Sequence, residues 1–383
     1  MDKNTFKSDL LYLLDELDKE HICLYYTVTK KEILDYIDYL LDNLSYETIY
    51  DQMYIVRLII KKLAGEYDQH MRADFSIPHI LPFNFKVLEN ELYLVDSIDE
   101  FSHLVYKRLI SINGISTDKI IDELDKSITY NVIGYRNSFF SRLYIEDILM
   151  LPSIESDSKV LDFKFDNGEI ATVNVDKKYP FININNNYSL KKIDNALYLK
   201  FPTCRISTDE IKELIVKIKV FKEREEFDCL IIDLRGNGGG NDAPLKLIAN
   251  YIKDYRIKSY TLVDGATFSA AAINAFDLKM VGTTLVGEEI GESLTNFGNL
   301  TKDYIVLPNS NIHVKGTYKF FYPTSKGINV VSTKKDFKKL DDKYKKLLFI
   351  TLDKVINTTI FDIKKHEDPV LKYVLEEETR WII

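Results

Sequence analysis

The chain has 383 residues, 45% hydrophobic and 29% charged, which suits two or three folding units with a sizeable core and excludes a disordered or fibrous class. A formal net charge of −8 argues against nucleic-acid binding as its main task, because phosphate affinity comes from Lys and Arg. The three cysteines, Cys23, Cys204 and Cys229, lie far apart without a C-x-x-C pair, which argues against a disulfide framework or a zinc ribbon.

Residues 1–72 read as three or four helices: Phe6, Leu10, Leu13, Leu14 and Leu17 recur at helical spacing, as do Ile33, Ile37, Leu40 and Leu41. From 73 to 190 the periods shorten into a small mixed α+β unit. Phe83 to Lys86 and Leu92 to Val95 flank a hairpin turn, and Leu109 to Asn113 is a strand before a helix that starts at Thr117. Val160 to Phe165 and Ile170 to Val175 flank Asp166-Asn167-Gly168, a strong hairpin signal. Residues 182–187 read as a linker or exposed loop. No basic head joined to an apolar stretch opens the chain, and no run of about 18 apolar residues could span a membrane. The expectation is a reducing cytoplasm.

From 191 to 383 the pattern alternates as α/β. Ala196 to Phe201 is a strand, and Asp209 to Lys222 is a helix with Thr208 as its cap. Cys229 to Leu234 is a continuous apolar run, expected of a strand buried on both faces. It ends in Arg235-Gly236-Asn237-Gly238-Gly239-Gly240, after which a helix runs from Ala243. Ser259 to Val263 is the next strand. Thr267-Phe268-Ser269 then opens an alanine-rich helix, and Thr284 to Val286 is a strand ended by Gly287-Glu288. The run from Lys334 to Lys346 mixes lysines with aspartates and reads as a solvated helix or loop.

Two features carry chemistry. Glycines at a strand end can adopt positive φ and bring backbone N–H groups close to a ligand. The run lacks the Lys-Ser/Thr of a phosphate loop and fails the G-x-G-x-x-G spacing at Asn241, whereas an oxyanion hole needs only convergent N–H groups. A tight turn with no ligand remains the structural alternative. Ser269 sits at a helix N-terminus, where free N–H groups favour negative charge and a strand-to-helix turn can expose a nucleophile. A simple capping role is the alternative there. H-E-x-x-H is absent and the six histidines are scattered, so neither a metal nor a cofactor is expected.

Taken together, "LIIDLRGNGGGN", "LVDGATFSAA" and "TLVGEEIGES" resemble the tail-specific protease and tricorn-core serine peptidase family. "LISINGISTDKII" and "DPVLKYVLE" extend the resemblance along the chain. It implies a ClpP/crotonase-like ββα-spiral catalytic core over 191–383, a reduced PDZ-like piece within 73–190, and N-terminal helices that cover the site. It also implies Ser269 as nucleophile, with Gly238, Gly239 and Ala270 forming the oxyanion hole. The substrate would be a peptide or unfolded protein, with no nucleic acid or membrane partner, and homo-oligomerisation is left open.

The base departs from one branch of the family. No lysine follows "VGE", and Lys279 lies roughly 15 Å along the helix from Ser269 at 1.5 Å per residue. The other branch, similar to the tricorn core, places a histidine where this chain has His70 in "LAGEYDQHMRADF". The late glutamate of that branch has no counterpart before Leu352-Asp353, after an apparent insertion from Ser325. Glu288, at the end of a strand, is the candidate third group, with Asp341 and Asp342 as substitutes. These departures keep a second reading in view: a catalytically inactive module that binds peptides or apolar ligands.

Overall fold

The computed structural model describes residues 1–180, 187–224 and 226–380. The linker expected at 182–187 falls almost wholly outside the described residues.

Three helices open the chain: Lys3–Glu20, Lys30–Asn43 and Ile49–Ala64. Each starts on a side-chain cap. Asp2 accepts from the N–H groups of Asn4 and Thr5, while Thr29 with Glu32 and Thr48 with Asp51 form reciprocal capping boxes. Their apolar stripes share a continuous core with the aromatic residues Phe83, Phe85, Phe163 and Phe165 of the middle region. That region holds the hairpin Phe83–Leu88 with Glu91–Ser97 and a four-stranded antiparallel sheet, both largely as the turn signals predict.

The second half is built on a six-stranded sheet. In spatial order its strands are Lys354–Val355, Thr284–Gly287, Ser259–Val263, Cys229–Asp233, Ala196–Lys200 and Ser189–Ile193. All neighbours run parallel except the last pair, an antiparallel hairpin. Cys229–Asp233 lies near the centre, and every one of its residues is buried, which explains the apolar stretch Cys229 to Ile232, while the buried Asp233 that follows is paired with Lys200 and Arg235. Its side chains alternate between two cores. Leu230 and Ile232 join the core formed with the helices Thr208–Glu223, Ala243–Tyr255 and Ala270–Met280. Cys229 and Ile231 face Val370 and Val374 of the C-terminal helix Pro369–Arg380. The expected Thr208 cap moves by one residue: Ser207 caps its helix in a reciprocal box with Glu210.

Between Thr284–Gly287 and Lys354–Val355 the chain forms a small antiparallel sheet, Asn296–Leu300, Thr317–Thr324 and Gly327–Val331. The stretch that resembled an insertion from Ser325 supplies the last of these strands and the helix Lys334–Lys339. Phe337 of that helix packs with Phe297 and Phe320 beneath it, while the lysines stay outside.

Candidate active site

Two turns at the ends of neighbouring parallel strands meet at Ser269. The strand Cys229–Asp233 leads into the glycine turn, and Ser259–Val263 leads into Asp264-Gly265-Ala266-Thr267-Phe268. Asp264 ties them together: its carboxylate accepts the Gly236 N–H at 3.0 Å and the Ala266 N–H at 3.0 Å. The Phe268 N–H donates to the Asn237 carbonyl, also at 3.0 Å. A Cβ on Gly239 would stand 2.8 Å from the Ser269 Cβ and 2.9 Å from the Ala270 nitrogen. Gly239 also has φ +98°, so both space and backbone demand glycine.

Ser269 holds φ +56° and ψ −126°, and its hydroxyl makes no capping bond to the helix that begins at Ala270. For a non-glycine residue this backbone is strained, a condition that persists only where surrounding contacts fix it. One such contact is the Ser269 N–H donating to Glu292 Oε2 at 2.8 Å. The free hydroxyl instead meets His70, with Oγ and Nε2 3.0 Å apart across 199 residues of sequence.

His70 is carried by a short loop. The helix Ile49–Ala64 stops at Gly65, whose φ of +53° ends it and where a Cβ would meet Thr27 at 2.7 Å. Asp68 then shapes the next turn: its Oδ1 accepts the N–H groups of His70 at 3.1 Å and Met71 at 2.9 Å. Its Oδ2 accepts the Thr317 hydroxyl and faces His21 Nε2 at 3.4 Å. Asp68 and His21 are both buried. Phe268 lies between the rings of His70 and Tyr135, with centroids 4.7 Å and 4.3 Å away.

Behind His70 stands Glu292. Its Oε1 is 3.3 Å from His70 Nδ1, a close approach that falls short of a formed hydrogen bond, and both atoms are buried. Burial holds the His70 imidazole down to about 4, opposed by the nearby Asp68 carboxylate. Burial likewise pushes the Glu292 carboxyl up to about 8, against the bond from the Ser269 N–H.

The sequence-derived residues fall into two groups. His70, Ser269, Gly238, Gly239 and Ala270 come together. Glu288 does not: it lies in a separate hollow beside Lys86, 3.6 Å away, and accepts the Thr358 N–H. The group on His70 is Glu292, four residues further on. Asp341 and Asp342 sit on the surface and pair with Lys343 and Lys345. Lys279 is engaged with Asp353. Among the oxyanion candidates, the Gly239 N–H is spent on Asn237 Oδ1 at 2.9 Å. Gly239 therefore supplies room rather than a donor. The N–H groups of Gly238 and Ala270 have no protein acceptor among the described residues.

One sequence signal points to Glu292: the glycines before it. A Cβ on Gly287 would stand 2.1 Å from the Val263 carbonyl oxygen, and one on Gly291 would stand 2.2 Å from that of Gly265. "GEEIG" thus marks a loop pressed onto the Ser269 turn, and Glu292 is the first acid beyond it.

The arrangement opens on a cleft of about 590 Å³. Among the described residues no group of His, Cys, Asp or Glu could hold a metal ion, and no helix is long and apolar enough to cross a membrane.

No family model and no curated protein matches the sequence. Solved structures do match. Mature CPAF complexed with lactacystin superposes with a TM-score of 0.63 at 12% identity, covering 99% of this chain and 98% of that one. A second structure of mature CPAF gives 0.60 at 13% identity, covering 94% of each chain. The photosystem II D1 C-terminal processing protease gives 0.45 at 11% identity over 91% of this chain and 93% of that one. The fold likeness stands on the two CPAF structures. The chain has the fold of the tail-specific protease family.

Proposed function

We propose that the chain is a serine-type peptidase that cleaves peptide bonds through an acyl-enzyme. The contact that carries this reading is Ser269 Oγ at 3.0 Å from His70 Nε2, within the reach of a base on a nucleophile. Ser269 attacks the carbonyl carbon while His70 takes the hydroxyl proton on Nε2. Ionised Glu292 accepts the His70 Nδ1–H, holding the tautomer that leaves Nε2 free and stabilising the imidazolium that forms. The N–H groups of Gly238 and Ala270 receive the developing oxyanion at the start of the helix Ala270–Met280. His70 then passes its proton to the leaving amine, and water releases the acyl group from Ser269.

In this reading 191–383 is the ClpP/crotonase-like catalytic core and 73–190 holds a reduced PDZ-like unit. The helices of 1–72 bring in the base. The substrate is a peptide or unfolded chain.

A fluorophosphonate probe tests the proposal. Labelling of the native chain that vanishes in Ser269→Ala is the expected result, and a folded, monodisperse chain that stays unlabelled from pH 6 to 9 rejects it. One observation favours the second reading, a peptide-binding module without catalysis: burial disfavours the ionised Glu292 that the mechanism needs. Labelling that appears only at alkaline pH separates the two, because it belongs to an enzyme whose glutamate must lose its proton.

A further inference from the structure

The catalytic cleft is lined by three arginines, Arg72, Arg142 and Arg205, and by no aspartate or glutamate. In a chain of net charge −8 this is a local reversal of sign. The three come from different parts of the fold. Arg72 begins the strand Arg72–Asp74, two residues after His70. Arg142 ends the turn Phe140–Arg142 and lies over the Tyr135 ring at 5.8 Å. Tyr135 in turn stacks on Phe268, which also packs against the His70 ring. Arg205 extends its stem over the glycine turn, where a Cβ on Gly240 would meet its Cγ at 3.1 Å.

Their partners differ. Arg72 is balanced by Asp74 at 2.8 Å. Arg142 donates to the Ser138 hydroxyl at 3.0 Å and interacts with the Tyr135 hydroxyl, and neither it nor Arg205 faces a carboxylate among the described residues. Arginine donors in a forked plane match carboxylate geometry, and concave walls of one sign concentrate substrates of the other.

We infer that the cleft selects peptides with acidic side chains flanking the bond at Ser269, read by Arg142 and Arg205. A single chain-end carboxylate would occupy one guanidinium, whereas cations on both walls fit two or more carboxylates along one extended segment. The assignment rests on the peptidase reading of the same cleft, so its test includes a measurement without turnover.

The test uses peptides of one length with both ends blocked, in three versions: glutamates around the central bond, glutamines in their place, and lysines in their place. A fourth peptide carries the glutamine sequence with a free carboxyl end. With the native chain at low salt, kcat/KM for the glutamate peptide should exceed that for the glutamine peptide by about tenfold, the worth of one charge-assisted hydrogen bond. The advantage should shrink as salt rises and disappear in Arg142→Gln/Arg205→Gln, for which kcat/KM of the glutamate and glutamine peptides should become equal. Equal cleavage of the blocked peptides, or a preference only for the free carboxyl end, overturns the inference while leaving the peptidase reading intact. If nothing is cleaved, fluorescence anisotropy with Ser269→Ala decides. Tighter binding of the blocked glutamate peptide supports the arginine assignment without turnover, and equal binding of all peptides rejects it.

Discussion

Glu292 holds Ser269 by the backbone: its Oε2 accepts the Ser269 N–H at 2.8 Å while its Oε1 faces His70 Nδ1 at 3.3 Å. One carboxylate thus holds the strained main chain of Ser269 and faces the ring of His70. Neutral His70 with protonated Glu292 is the pair that burial favours. Proton abstraction from Ser269 requires the opposite arrangement, with Glu292 ionised.

Activity should therefore rise with pH. With Glu292 pushed up to about 8, kcat/KM should climb to a plateau through an apparent midpoint near 8 that belongs to the coupled pair. In Glu292→Gln the limb should vanish together with most of the activity, because an amide can present an acceptor to the Ser269 N–H or to His70 Nδ1 but not to both. A pH profile of acylation by a fluorophosphonate in both proteins measures this. A midpoint near 6.5, the ordinary range of histidine, would contradict it.

Stability should follow the same titration with a defined sign. The folded-state pKa of Glu292 lies above its ordinary value of 4.5, so its contribution is full below 4.5 and is lost as pH rises through about 8. For His70, lowered from 6.5 to about 4, the contribution is full above 6.5 and is lost as pH falls through about 4. The Tm of Glu292→Gln relative to the native chain should thus increase between pH 5 and pH 9. Calorimetry at both pH values checks it, and a constant difference would show that the carboxyl does not titrate in that window.

The backbone at Ser269 leads to a different expectation. With φ +56° and ψ −126°, a side chain there costs on the order of 1–3 kcal/mol. Ser269→Gly should gain about 1 kcal/mol over Ser269→Ala in denaturant unfolding, and both should lose turnover by roughly 10⁶. Equal stability of the two variants would mean that the strain is absent.

Two neighbouring glycines should respond differently. Gly239→Ala would push a methyl into the Ser269 turn at 2.8 Å with an unfavourable φ, and should cost about 2 kcal/mol or more along with activity. Gly238 has open space around its added Cβ and no positive φ, so Gly238→Ala should stay within about 0.5 kcal/mol and keep its N–H donor. Thermal unfolding and acylation rates for the pair separate room from hydrogen bonding.

The loop that carries His70 depends on Asp68. Asp68→Ala leaves two main-chain N–H groups and the Thr317 hydroxyl without their acceptor in a buried place, at a cost of about 1–3 kcal/mol. Asp68→Asn keeps one acceptor oxygen for the backbone and should lose less stability and less kcat. If both substitutions leave kcat unchanged, the turn positions His70 without help from this carboxylate.

Much of this architecture is legible in the sequence because it is local. The period of Phe6, Leu10 and Leu17, the turn Asp166-Asn167-Gly168 and the apolar stretch Cys229 to Ile232 each fix an element from its own residues. Ser269 and the glycine turn are equally readable, since each marks the end of a strand. The partner of His70 is not. Glu288 and Glu292 share one short loop, and only the packing of Gly287 and Gly291 against the carbonyls of Val263 and Gly265 decides which of them turns inward. The sheet around Asn296–Leu300 escapes for a similar reason: its asparagines and glycine dilute the alternation, and Asn299 at φ +56° interrupts the register.

The sequence separation of 199 between His70 and Ser269 has a biosynthetic consequence. A polypeptide emerging from the ribosome carries its imidazole long before its alcohol, and neither half alone contains both. The contact between the two side chains can form only after the amino-terminal helices and the parallel sheet have docked, so the proposed reaction would be absent from unfinished chains. Two fragments divided between those halves and mixed together would regain the reaction only by reassembling.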